Sequence, residues 1–251
     1  MLYKLLIFIF FNLFSSNSFI FTYKPLVNKN KLVTFGPGGI TGFYTLGVTS
    51  YLKDNYNLTD YSFLGASAGS WNALLLTCKE NNSIIINKLL SQNMFHKTTS
   101  VSNLLADIKT YVETTYKASD FELNKLYVSV SILNLFRFKP RVLYNFTSLH
   151  DATNGCFYSS YIPFLTGKVK FLYLKNFIFD GGIGKFPPNH IRSYFDVYPS
   201  MWGRQFTSKD RFIYPTDTNY FKNIYELGYN DSCKNKHILD LYFSPLNNLE
   251  F

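Results

Sequence analysis

The stretch from Leu32 to Leu76 limits most sharply what this chain can fold into. It reads LVTFGPGGITGFYTLG, then a spacer, then FLGASAGSWNALLL. Each half sets an apolar run before a glycine-marked turn and a helical pattern after it, which predicts two adjacent βα units. The second turn holds Gly65-Ala66-Ser67-Ala68-Gly69, a Gly-x-Ser-x-Gly. A turn of this kind forces its serine into a sharp strand-to-helix bend, so the hydroxyl stands exposed above the sheet. Gly65 and Gly69 let the flanking strand and helix approach without side-chain clashes. The first turn, Gly36-Pro37-Gly38-Gly39, bares backbone N–H groups at a helix start, and such groups attract negative charge. An exposed serine beside a pocket for an oxyanion is the minimum equipment for acyl transfer.

Each turn alone has a plainer reading. Small-residue pentapeptides with a central Ser also connect strand to helix with no chemistry. The glycine loop alone resembles a phosphate cradle, but it lacks the Gly-Lys-Ser/Thr ending of a P-loop, and its glycines do not fit the dinucleotide spacing. The pair, in adjacent βα units, points to a reaction.

A length of 251 residues suits one large domain, and a hydrophobic fraction of 47% is ample for a buried core. The net charge is +9, and a basic surface favours polyanions, either anionic lipid headgroups or nucleic acid. The same balance follows from a base composition rich in Lys, Asn, Ile, Phe and Tyr codons. No arginine-rich run or recognition-helix motif supports nucleic acid. At the N-terminus a single lysine precedes an apolar run, Leu5 to Phe14, and Ser16-Asn17-Ser18 offers small residues at the positions a signal peptidase reads. The run is too short for a comfortable membrane span, so residues 1–18 are expected to be a cleaved secretory signal and 19–251 the folded domain. If Phe19 to Phe21 extend the run, an uncleaved anchor is the alternative. The expected location is the secretory pathway, secreted or membrane-associated. Sequons at Asn57, Asn81, Asn145 and Asn230 are compatible with that route. Cys78, Cys156 and Cys233 show no metal-ligand spacing and no disulfide framework. They allow one bridge with a free thiol or three buried thiols, and no metal or cofactor is expected.

Along the chain, Lys31 to Phe35 and Tyr61 to Leu64 read as strands, Ile40 to Asn55 and Ala68 to Cys78 as helices. In the first helix Phe43, Leu46, Gly47 and Tyr51 share one face. Ser83 to Phe95 and Val101 to Tyr116 continue the helical pattern. Leu126 to Leu135 alternates β-branched residues as a strand does, with Arg141 to Phe146 as its hairpin partner. Ser148-x-x-Asp151 is a capping box opening a helix toward Tyr161. Phe171 to Phe179 reads as one strongly apolar strand ending in Asp180-Gly181-Gly182. A carboxylate at a strand end is where open α/β sheets place their chemistry, although Asp-Gly is also a common turn pair. From Lys185 the chain is loop-rich, with a last helix from Ile224 to Lys234.

With Gly-x-Ser-x-Gly and a later Asp-Gly-Gly both placed, the chain resembles the patatin-like phospholipases, and within them the adiponutrin-type branch. FGPGGITGFYTLG is similar to the family's glycine-rich oxyanion stretch, FLGASAGS to its nucleophile turn, and FIFDGG to its base motif. LYVSVSILN, the Asp151 to Pro163 segment and YELGYNDS resemble three further family segments. The likeness covers most of Leu32 to about Lys234. It implies a patatin-like three-layer α/β sandwich, a mainly parallel central sheet with helices on both faces. It also implies a Ser–Asp dyad that hydrolyses acyl esters of glycerolipids at a membrane or lipid-droplet surface. Carried over by position, Ser67 is the nucleophile, Asp180 the base, and the Gly38–Gly39 backbone the oxyanion hole. Gly36, Gly42, Gly65, Gly69, Gly181 and Gly182 are the motif glycines. The chain departs from the family at Pro37, where many members have Gly, at Thr41, where many have Lys or Arg, and at Lys185, where Asn is common.

Two other readings stand beside this one. An α/β-hydrolase triad fits the order Ser67, Asp180, then His190 or His237. A non-enzymatic membrane-binding protein on the same scaffold is the other, and Pro37, which has no N–H to donate, leaves room for it.

Overall fold

A computed structural model describes residues 31–80, 82–90, 100–134, 137–163, 165–166, 172–173, 176–217 and 219–246. The expected signal segment lies outside them, as do Asn81 and His96. In chain order the elements are β1 (Lys31–Phe35), α1 (Gly42–Asn55), β2 (Tyr61–Ala66), α2 (Ala68–Thr77), α3 (Asn82–Leu90) and α4 (Val101–Thr115). There follow β3 (Leu126–Asn134), β4 (Arg137–Leu143), α5 (Leu149–Ser159), β5 (Leu172–Tyr173), β6 (Asn176–Phe179) and β7 (Phe195–Val197). Last come α6 (Ser208–Phe212), α7 (Tyr220–Lys234) and α8 (Lys236–Leu239).

The strands form one 7-stranded sheet of order β5-β6-β3-β2-β1-β7, with β4 pairing β3 as well. β1, β2, β3 and β7 are mutually parallel, while β4 and β6 run against the rest. This is an α/β architecture with a mixed, mostly parallel sheet flanked by helices, compatible with a three-layer sandwich. Alternation along the strands divides two cores. Val33, Phe35, Phe63, Val128 and Val130 face the main helical core. Leu32, Leu64 and Tyr127 face the other way and meet Ile191 and Phe186, which belong to the segment after β6.

Several expectations are corrected. Phe171 to Phe179 is not one strand: β5 and β6 pair antiparallel, with Tyr173 opposite Asn176, so the chain reverses between them. The partner of β3 begins at Arg137, earlier than Arg141, because a tight hairpin register carries Asn134 opposite Arg137. α1 has no single apolar face. Every residue from Gly42 to Leu52 is buried, since α2 packs on one side and α7 on another. α7 comes close enough that a Cβ on Gly47 would lie 2.0 Å from the Tyr225 carbonyl, and one on Gly228 2.0 Å from that of Tyr44. The helix expected to run to Phe95 is described only to Leu90. The three cysteines form no bridge: Cys78 and Cys156 are buried and Cys233 is exposed.

The helix starts behave as their chemistry requires. Ser148 accepts the Asp151 N–H at 3.0 Å and caps α5. Tyr44 donates to Asp231 Oδ2 at 2.9 Å, and Arg204 grips the same carboxylate through Nε at 2.5 Å and Nη2 at 2.7 Å. That cluster fastens α7 and the Met201–Gly203 turn to α1.

Candidate active site

The site begins with register. Ala66, the last residue of β2, pairs with Ser129 of β3, and Phe179, the last of β6, pairs with Ser131. β6 runs antiparallel, so its C-terminal end comes down to the level at which β2 ends. β4 fills the other edge of β3 from Val128 to Asn134, so β2 and β6 share one edge, end to end, and Ser67 and Asp180 meet where those two strand ends face each other.

Ser67 sits at φ 55, ψ −130, a region that non-glycine residues occupy only where the surroundings force it. The forcing is visible. A Cβ on Gly69 would lie 2.2 Å from the Phe35 carbonyl oxygen, and one on Gly65 2.2 Å from that of Gly69. Strand end and helix start are thus pressed together, and the turn residue has no relaxed option. The Ser67 N–H donates to Ser159 Oγ at 2.8 Å. Ser159 Oγ donates to the Ser129 carbonyl at 2.6 Å, and its own carbonyl accepts the Gly181 N–H at 2.9 Å. Ser159 thus ties the nucleophile turn, β3 and the Asp-Gly-Gly turn into one unit. No sequence signal marked it, because the contact spans 92 residues.

Asp180 is 4% exposed. Its N–H donates to the Tyr161 carbonyl at 2.7 Å, and its Oδ1 accepts the Gly182 N–H at 2.7 Å. Oδ2 is buried without a hydrogen-bond partner. Burial pushes the carboxyl pKa up to about 6 against the pull of the Ser67 hydroxyl and the Gly182 N–H. The serine is close enough to influence the acid, yet it leaves Oδ2 unsatisfied.

The first glycine turn closes over this pair. Gly39 adopts φ +56, and a Cβ there would lie 2.3 Å from the Arg211 carbonyl, so only glycine fits beneath α6. Cβ atoms on Gly42 and Gly182 would strike Ala68 and Pro37 respectively, which shows how the turns interlock. Gly36 spends its N–H on the Val197 carbonyl. Among the described residues the N–H groups of Gly38 and Gly39 make no hydrogen bond. Gly39 lines the pocket that holds Ser67 and Asp180; Gly38 does not. Ala68, which also lines it, opens α2, so its N–H has no partner within the helix. The residue after a nucleophilic serine on such a turn is a donor the sequence reading overlooked. Thr41 is buried and donates to the Gly38 carbonyl at 2.7 Å, while Lys185 is exposed.

The pocket holds ≈ 930 Å³ of space free of atoms, part of it open to solvent. Away from the serine its wall is apolar, built by Leu46, Leu75, Leu89, Leu104, Ile108 and Val112. Among the described residues no histidine lines it; His150, His190 and His237 are exposed. Among the described residues no group of three His, Cys, Asp or Glu side chains is placed to hold a metal ion, and no helix is long and apolar enough to cross a membrane. Cys156 is fully buried against the Ser70 carbonyl, its thiol pushed up to about 12 by desolvation; it packs beneath the site. No protein-family model and no curated protein matches the chain.

Proposed function

We propose that the chain is a serine acyl hydrolase acting on glycerolipid esters through a Ser67–Asp180 dyad, a patatin-like activity on a patatin-like sandwich. The observation that carries this reading is a buried carboxylate with one unpartnered oxygen, sharing an apolar pocket with a serine on a strained turn. Asp180 takes the Ser67 proton as Oγ attacks the acyl carbonyl. A carboxylate poised near 6 is ionised at neutral pH yet far more basic than a solvated one. The tetrahedral oxyanion accepts hydrogen bonds from the Gly39 N–H, with Gly38 or Ala68 beside it. Collapse breaks the ester C–O bond, and the leaving alcohol takes the proton from Asp180. Water then attacks the acyl-enzyme with Asp180 again the base, freeing the fatty acid and restoring Ser67.

The wall from Val101 to Val112 along α4 supports a long acyl chain. Its length is about 16 Å at the helical rise, comparable with the half-thickness of a bilayer's hydrocarbon core, about 15 Å. A net charge of +9 suits an anionic lipid surface. The exposure of His190 and His237 supports the dyad over the triad. The N-terminal reading belongs to the same proposal: residues 1–18 are removed in a secretory cell, and a mature protein still beginning at Met1 refutes that part.

A fluorophosphonate probe tests the nucleophile. It should label Ser67, and incubation with phospholipid should release fatty acid. Labelling that persists in Ser67→Ala overturns the assignment.

A further inference from the structure

At the end of the sheet that holds Ser67, the edge strand β4 carries charge that the fold does not use. Arg137, Lys139 and Arg141 are exposed, and none of them joins an ion pair among the described residues. Several lysines elsewhere are paired: Lys88 with Glu80, Lys125 with Glu122 and Lys236 with Asp240. Register fixes where the β4 cations stand. Ala66, one residue before the candidate nucleophile, pairs with Ser129 of β3. Arg141 pairs with Val130, Lys139 with Ile132 and Arg137 with Asn134. At the rise of a strand they lie roughly 3, 10 and 16 Å beyond the level of Ala66, in the direction in which β2 delivers Ser67.

Apolar side chains stand among them. Phe138 alternates with the cations along β4, sets its ring against that of Phe179 at 5.1 Å, and remains 43% exposed. The turn after Asp180 lies against the same strand, since a Cβ on Gly184 would come within 3.6 Å of the Pro140 nitrogen. Its neighbours Ile183 and Lys185 are both exposed. Charge on an edge strand also keeps it from pairing with another chain, but that role asks for no exposed ring beside the cations and for neither Ile183 nor Lys185.

We propose that the outer edge of β4, with the turn that carries Ile183 and Lys185, is a docking surface for the anionic face of a phospholipid bilayer, and that it turns the Ser67 end of the molecule toward the lipid. The purpose of this orientation rests on the acyl hydrolase reading; the docking itself needs no chemistry at Ser67. Unpaired cations draw a surface to negative headgroups, while rings and aliphatic side chains settle at the boundary between headgroup and hydrocarbon. Attachment at the end where Ser67 emerges leaves the opposite end of the sheet, where β1 and β2 begin, in water.

The test separates docking from turnover. The full chain is sedimented with vesicles of phosphatidylcholine, alone or mixed with phosphatidylserine. Wild type should favour the mixed vesicles, and rising ionic strength should release it. The triple variant Arg137→Gln, Lys139→Gln, Arg141→Gln should bind them about 100-fold more weakly, at about fivefold for each cation near an anionic surface. Fatty-acid release from mixed vesicles should fall with binding, while hydrolysis of a monomeric butyrate ester stays at the wild-type rate. Lys139→Gln alone, with a loss of about fivefold, carries the test if the triple variant does not fold. Lys117→Gln, Lys222→Gln and Lys234→Gln together remove the same charge from other exposed positions. An equal loss in that variant would make the effect one of net charge and overturn the proposal. Unchanged vesicle binding by the β4 variant would overturn it too, as would wild type binding neutral vesicles equally well. A β4 variant that loses binding to an RNA duplex and keeps binding to vesicles would assign the surface to nucleic acid, with the same result. Wild type that docks through these residues but takes no fluorophosphonate at Ser67 refutes the hydrolase reading instead and leaves the docking surface standing.

Discussion

Asp180→Asn should abolish hydrolysis and at the same time make the protein more stable. The side chain is 4% exposed, and burial raises its pKa from the ordinary 3.8 to about 6. Between those values the folded chain holds a proton that the unfolded chain has released. Stability contributed by the protonated carboxyl is therefore fully present below pH 3.8 and is lost as pH rises through about 6. At roughly 1.4 kcal/mol per pH unit the gap amounts to about 3 kcal/mol above pH 7. Asparagine keeps an oxygen for the Gly182 N–H, which Oδ1 now accepts at 2.7 Å, and carries no charge to desolvate. The variant should exceed the wild type by up to about 3 kcal/mol at pH 8, by about half that near pH 5, and by nothing at pH 3. Urea unfolding at those three pH values measures the difference, and fatty-acid release measures the catalytic loss, about 10²–10⁴-fold for a general base. A variant less stable than wild type at pH 8, or a difference that does not change with pH, refutes the claim that Asp180 is a desolvated ionised base. The wild-type rate should climb as pH rises through about 6, where the carboxyl ionises.

Gly39→Ala forces a Cβ to 2.3 Å from the Arg211 carbonyl at a φ of +56; turnover should fall by about 10²–10³-fold as the oxyanion donor moves, and wild-type turnover in a folded variant rejects the role. Ile108→Trp narrows the apolar end of the pocket, so the ratio of butyrate-ester to palmitate-ester hydrolysis should rise by about tenfold or more; an unchanged ratio removes α4 from the acyl site. Asp231→Asn weakens the bonds from Tyr44 and Arg204 and should lower stability by about 1–3 kcal/mol in urea unfolding, with no loss of fluorophosphonate labelling at temperatures where the protein stays folded.

What the amino-acid sequence determined by itself was local. The apolar run and glycine turn before Ser67, the Ser148 cap and the Asp180-Gly181-Gly182 turn were legible because propensity, periodicity and turn chemistry act over a few neighbouring residues. The same locality explains the errors. The apolar run from Phe171 to Phe179 divides into two antiparallel strands, because their pairing is fixed only once β6 lies against β3. The face of α1 that carries Phe43, Leu46, Gly47 and Tyr51 is only part of its buried surface, because its sequence cannot reveal that α7 covers its second side. The site itself was decided by tertiary structure. Asp180 reaches the level of Ser67 only because β6 runs against β3. Ser159 joins the two turns from a helix end that carries no motif. The Arg211 carbonyl closes against Gly39 from a region with no periodic signal. Each of these rests on strand register and on close backbone approach at glycines. Those are relations between segments distant along the chain, set by which surfaces bury each other and by nothing within any one segment.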